Sequence, residues 1–170
     1  MSNNLIKVAG FVRESIVDGP GIRYVIFTQG CHHNCPGCHN PQTHDPKKGF
    51  QISTDEIFSE IKQNPLLQGI TFSGGEPFLQ ASNLLNLAYQ VKKIGLDIVT
   101  YTGYLFEDIL YSKDDAQIKL LNATDILIDG KFVQNLKHED LQFRGSSNQR
   151  IIDVKKSLNQ GHVVQIDKFS

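Results

Sequence analysis

Three cysteines fall within one run, Cys31-His32-His33-Asn34-Cys35-Pro36-Gly37-Cys38, and the chain has no others. An odd number of thiols cannot pair completely as disulfides within one chain, which makes a disulfide scaffold the poorest reading. Clustered thiols in a reducing compartment are more often metal ligands or redox catalysts. Three thiolates can bind three irons of a cubane and leave the fourth iron open to an exogenous chelator, an arrangement suited to catalysis. The alternative is structural zinc in a closed Cys₃His shell, with His32, His33 or His39 as fourth ligand. On the triplet alone both remain open.

Two further clusters could do chemistry. Gly74-Gly75-Glu76-Pro77 is either a plain turn or a loop whose glycines admit a ligand to the backbone while Glu76 accepts from an ammonium group. Asp129-Gly130-Lys131 closes a strand-like stretch and offers an acid and a cation, or simply a solvated lysine. The histidines carry less weight. His32, His33, His39 and His44 lie near the cysteines and could orient them through hydrogen bonds, whereas His138 and His162 read as surface or strand residues.

The elements that must position these groups alternate. Ile6 to Val12 reads as extended, the Asp18-Gly19-Pro20-Gly21 turn follows, and Arg23 to Thr28 is a buried strand that delivers the cysteine loop. Ser53 and Glu56 form a capping box for a helix carrying Ile57, Phe58 and Ile61, and Asn64-Pro65 ends it. Strands are expected at Ile70 to Phe72, Leu96 to Tyr101 and Asp125 to Asp129. The intervening helices carry Leu84, Leu85, Ala88 and Val91, then Leu105 to Leu110, then Ile118 to Leu121. Arg150 to Val154 and His162 to Ile166 read as two last strands. Strand–helix alternation argues for parallel βαβ units, and 170 residues fall short of the roughly 250 of a full eight-fold barrel. The expectation is an α/β fold, a single domain over residues 1–170, built as a partial (open) parallel β/α barrel or a doubly wound sheet. Either would gather the cysteine, Gly74-Gly75, Thr102-Gly103 and Asp129-Lys131 loops at the carboxyl ends of the strands.

Composition excludes other classes. Seventeen basic against 18 acidic residues give a net charge of -1 and no basic face for nucleic acid. The longest apolar runs, such as Tyr24 to Phe27, fall far below the roughly 20 residues that cross a bilayer. Met1-Ser2-Asn3-Asn4 lacks the basic-then-apolar layout of a secretory leader, so a cytoplasmic protein is expected.

Cys-x₃-Cys-x₂-Cys after one strand, joined to Gly74-Gly75-Glu76-Pro77 after the next, resembles the radical S-adenosylmethionine (SAM) superfamily. The resemblance implies a partial barrel of the radical SAM type. It also implies a [4Fe–4S] cluster on Cys31, Cys35 and Cys38, with its open iron chelated by SAM. Reductive cleavage of SAM then yields a 5′-deoxyadenosyl radical that abstracts hydrogen, with the cofactors carrying the hard chemistry. By the same resemblance, SAM contacts fall to Gly37, His39, Gly74, Gly75, Glu76, Asp129 and Lys131. Gly37 stands where the common pattern has an aromatic residue. Val17 to Arg23 is similar to the signature of activating enzymes for glycyl radical enzymes. Arg144-Gly145-Ser146-Ser147-Asn148-Gln149-Arg150 and the short length resemble the activating proteins of anaerobic (class III) ribonucleoside-triphosphate reductase. These imply a reductase partner, a backbone glycine as target, and a flavodoxin or ferredoxin as electron donor; a pyruvate formate-lyase type of activase is the nearest alternative. A non-catalytic zinc or iron–sulfur module is the rival outside this chemistry. Anaerobically purified protein is expected to carry iron, not zinc, and Cys31→Ala to lose most of it; one zinc per chain by metal analysis would reject the cluster.

Overall fold

The computed structural model describes residues 4–169; Met1 to Asn3, within the stretch read above for a leader, and Ser170 lie outside the described residues. Seven strands form one open sheet in the order β3-β1-β2-β4-β5-β6-β7. The strands are β1 (Leu5–Ser15), β2 (Arg23–Thr28), β3 (Phe50–Ser53), β4 (Gly69–Gly74), β5 (Asp97–Tyr101), β6 (Ile126–Asp129) and β7 (Arg150–Asp153). The helices are α1 (Thr54–Lys62), α2 (Ala81–Lys93), α3 (Phe106–Leu110), α4 (Asp115–Ala123) and α5 (Val154–Gln160). Strands β2, β4, β5 and β6 run parallel, while β1, β3 and β7 are antiparallel flanks.

The alternation of apolar residues decides which face meets the helices. Ile26, Ile70, Phe72, Ile98, Leu127 and Ile152 share one cluster with Ile57 of α1, Leu84 and Val91 of α2, Phe106 of α3, Leu120 of α4 and Val154 of α5. Side chains of opposite parity, Val99, Ile128 and Ile151, form a separate cluster with Phe143, Ile166 and Phe169, and among the described residues none from α1 to α5 joins it. All five helices therefore cover one face. That excludes the doubly wound alternative, which needs helices on both faces. The second face is roofed by loops.

Two expectations at the carboxyl end change. Residues from Val154 form α5, started by the Asp153 side chain accepting from Lys156 N at 3.0 Å and stopped by left-handed Gly161. His162 to Ile166 is not a strand: it makes one bridge, Ile152 to Gln165, and two flanking backbone hydrogen bonds. The edge strand β3 has no counterpart in the sequence reading. Its exposed and half-buried pattern lacks the apolar alternation that marks a strand.

Arg23 explains the Asp18-Gly19-Pro20-Gly21 turn. Its side chain is fully buried, donating from Nε to Thr71 Oγ1 at 2.8 Å, from Nη1 to Pro20 O at 2.9 Å and from Nη2 to Ile70 O at 2.7 Å. Nη2 also pairs with Asp97 Oδ1 at 2.6 Å. Thr71 Oγ1 in turn donates to Asp18 O at 2.8 Å, which draws the β1–β2 turn over the loop-covered face. Arg23→Met is expected to cost about 2–4 kcal/mol in denaturant unfolding, because it orphans buried carbonyls. Half-exposed Asp97 can rehydrate and limits the loss; an unchanged midpoint would show that the guanidinium is dispensable.

Candidate functional site

The parallel registers align the strand ends. Thr28 lies opposite Gly74, Phe72 opposite Thr100 and Tyr101 opposite Ile128, so the loops after β2, β4, β5 and β6 emerge together as the sequence pattern requires. Gly75 N donates to Thr28 O and Glu76 N to Gly30 O, both at 2.8 Å, which stitches the Gly74-Gly75 loop to the root of the cysteine loop. A Cβ on Gly75 would lie 2.3 Å from Gly30 O, and one on Gly74, whose φ is +87°, would lie 2.6 Å from Thr28 N and 2.7 Å from Phe27 C. The glycine pair is thus required by the neighbouring chain.

The Glu76 carboxylate is buried and saturated with donors. Oε1 accepts from His33 Nε2 at 2.6 Å, Thr102 Oγ1 at 2.8 Å and Gly103 N at 2.8 Å, and Oε2 accepts from Phe78 N at 3.0 Å. Because a carboxylate only accepts, the proton of this histidine sits on Nε2. One side chain so joins the cysteine loop, the β5 loop and the turn after β4.

The three thiols sit half-buried in a loop shaped by left-handed Asn34 and Gly37. Gly37 is left-handed and packs against the Gln134 side chain, which lies 2.8 Å from where its Cβ would be; this is the space an aromatic residue would need. The loop is buttressed from outside: Gly30 N donates to Thr43 O at 2.6 Å and Cys31 N to His44 O at 3.1 Å. Cys38 N donates to Cys35 O at 3.1 Å, and Asn40 N donates to Cys38 Sγ at 3.5 Å. Burial pushes the Cys31 thiol up, and the charges of Glu76, Cys35 and Cys38 push it the same way. Such thiols become thiolates when a cation is among them.

The histidines beside the cysteines each make a contact of their own. His33 is on Glu76, His32 Nε2 meets Tyr104 OH at 2.9 Å, and the His39 ring packs edge-on against Phe132 at 5.1 Å. Three soft sulfurs in one loop are a donor set that fits an iron–sulfur cluster.

Between the helix-free face of the sheet and its roof lies a cavity of about 550 Å³. Cys38, His39 and Asn40 line one part, Ser73, Gly74 and Tyr101 another, and Ile16 to Asp18 and the 141–145 segment the rest, with Phe132 and Gln149. Gly37, Gly75, Glu76, Asp129 and Lys131 are not among the lining residues. Asp129 is fully buried and takes Arg150 Nε at 2.9 Å, Arg150 Nη2 at 2.5 Å and Phe106 N at 2.7 Å, so its two oxygens serve the sheet and α3. Lys131 is exposed.

Residues 17–152 match the family model described as a 4Fe-4S single cluster domain. Proteins named anaerobic ribonucleoside-triphosphate reductase-activating protein, from Salmonella typhi and Escherichia coli (strain K12), are each 38% identical over 143 residues. The match covers 79% of this chain and 90% of theirs. The protein of that name from Enterobacteria phage T4 is 38% identical over 141 residues, 79% of this chain and 86% of its own. The chain belongs to the family of anaerobic ribonucleoside-triphosphate reductase-activating proteins. Its cysteine loop lies inside the single-cluster domain, so an iron–sulfur cluster is the group that suits these thiols.

Sequence reasoning for this activating-protein family missed the roof. Ser146 is buried, with its Oγ accepting from Val133 N at 3.1 Å. Asn148 Nδ2 donates to Lys131 O at 2.8 Å and Gln149 Nε2 to Gly130 O at 2.9 Å. Polar side chains at close spacing were a signal, but their partners are the backbone of another segment. Glu76→Gln is expected to cost about 3 kcal/mol and lower the thermal midpoint of the metal-free protein by roughly 6–12 °C, since an amide turns a donor toward donors. Destabilisation confined to the loaded protein would instead tie Glu76 to a ligand.

Proposed function

We propose that residues 1–170 form one domain, a partial barrel of the radical SAM type, that activates anaerobic ribonucleoside-triphosphate reductase. Cys31, Cys35 and Cys38 hold a single [4Fe–4S] cluster in this reading, and SAM occupies the adjoining cavity. The observation that carries the reading is the meeting of Cys38, His39 and Asn40 with Gly74 on the wall of one cavity. When bound, the cluster and SAM supply reductive cleavage of a carbon–sulfur bond and the carbon radical that takes hydrogen from a backbone glycine of the reductase.

The chain's own residues bind, orient and exclude water. Gly74 gives a ligand close access to backbone at the strand end, and His39, held edge-on against Phe132, lines the cavity beside the third thiol. Gly75 and Glu76 act at one remove, holding the cysteine loop against the strand ends. Gly37 presents exposed backbone between Cys35 and Cys38, where an adenine edge can be met without a side chain. Asp129 serves through Arg150, which also pairs with Glu107 Oε2 at 2.8 Å.

The open face supports a macromolecular partner. A sheet roofed only by loops can admit a chain segment more readily than a closed pocket can. Among the described residues no helix is long and apolar enough to cross a membrane. The cytoplasm, and a flavodoxin or ferredoxin as electron donor, complete the proposal.

Anoxic reconstitution with iron, sulfide, SAM and a reductant is expected to yield 5′-deoxyadenosine. With the reductase added, a glycyl signal should appear in electron spin resonance, and Cys31→Ala should abolish both. An intact cluster without SAM cleavage rejects the reading; a radical on a formate-lyase type of enzyme but not on the reductase reassigns the partner.

A further inference from the structure

The roof segment 144–150 is held in place almost entirely by its own polar side chains, with one exception. Ser146, Asn148 and Gln149 are spent on the backbone of 130–133, and Gln149 Oε1 also accepts from Gly145 N at 2.8 Å and Ser146 N at 3.2 Å. Arg150 is spent on Asp129 and Glu107. Arg144 is different. It uses Nη1 to donate to Gln149 O at 3.1 Å, while its Nε is buried with no hydrogen-bond partner. A buried guanidinium N–H without an acceptor costs on the order of 1–3 kcal/mol or more, so this side chain is not committed to holding the roof as its neighbours are.

Its place in the cavity narrows the anion. Among the described lining residues Arg144 is the one lysine or arginine and Asp18 the one acid, and Asp18 Oδ2 already accepts from Ser15 Oγ at 2.6 Å. The roof is packed onto the cysteine loop: Gly145 abuts the Phe132 ring, which in turn meets His39 edge-on, next to Cys38. Arg144 therefore faces a cavity shared with the third thiol. A guanidinium on a cavity wall matches the two oxygens of a carboxylate. Of the two charged residues of Asp129-Gly130-Lys131 to which the resemblance gives SAM contacts, Asp129 is consumed by Arg150, and Lys131 lies outside the lining.

We propose that Arg144 is the carboxylate-binding residue of this cavity and takes the α-carboxylate of SAM, in place of Lys131, the cation that the resemblance offers to SAM. The inference rests on the reading of the cavity as the SAM site. Arg144 binds and orients; it takes no part in the electron or hydrogen transfer.

The test is equilibrium binding to the full-length, cluster-reconstituted protein, using SAM and its decarboxylated analogue, which lacks only the carboxylate. Arg144→Gln is expected to weaken SAM about 10- to 100-fold and to leave the decarboxylated analogue within about twofold of wild type, the loss of one charge-assisted contact. Iron content and thermal midpoint equal to wild type show that the roof still folds. Should Arg144→Gln lose the cluster, Arg144→Lys carries the same comparison with a smaller but still SAM-selective loss. Equal losses for both ligands, or none for SAM, overturn the assignment. A selective loss in Lys131→Ala with none in Arg144→Gln returns the carboxylate to Lys131 and also overturns it. Wild-type protein that binds neither ligand rejects the cavity reading itself, a separate outcome from wild-type binding unaffected by Arg144→Gln.

Discussion

A buried carboxylate must find donors, and Glu76 finds four of them on three different loops. The acceptor demand of one side chain therefore fixes His33 in the cysteine loop, Thr102 and Gly103 after β5, and Phe78 after β4 relative to one another. Burial makes the arrangement stringent, because any loop that drifts leaves a donor or an acceptor unpaired at low dielectric. The adjoining glycines serve the same end. They let the loop after β4 come within hydrogen-bond distance of Thr28 and Gly30, which no side chain would allow.

A second set of constraints holds the other wall. Arg150 on β7 satisfies the buried Asp129 at the end of β6 and reaches Glu107 on α3, so the strand ends are tied to the helix layer. The polar residues just before Arg150 fasten their own loop over the helix-free face of the sheet. A cavity results because the sheet is open and its second face carries loops in place of helices, leaving one thiol, one glycine loop and one arginine on a shared surface.

Much of this was legible in the residues, for identifiable reasons. The parallel strands announced themselves because buried strands read as apolar runs and each ends at a glycine or turn residue, as at Thr28-Gln29-Gly30 and Gly74-Gly75. Proximity of the loops at one end followed from βαβ topology alone. Elements with weak patterning did not show: β3 is exposed and half-buried, and α5 begins in a Val-Lys-Lys-Ser run that has no apolar stripe. Chemical roles were legible as residue types only. Glu76 reads as a ligand for an ammonium group until its four donors are known, and Asp129-Gly130-Lys131 reads as a pair until Arg150 claims the acid.

By itself, then, the order of residues determined the three clustered thiols, their spacing, the strand that presents them and the companion glycine loop. Those depend on local backbone preference and on side-chain periodicity, which neighbours in sequence decide. Only tertiary structure decided which polar side chains are spent on holding loops and which remain for a ligand. Hydrogen-bond satisfaction of a buried group is settled by partners dozens of residues away: Glu76 by His33 and Thr102, Asp129 by Arg150, and Arg144 by none that reaches its Nε.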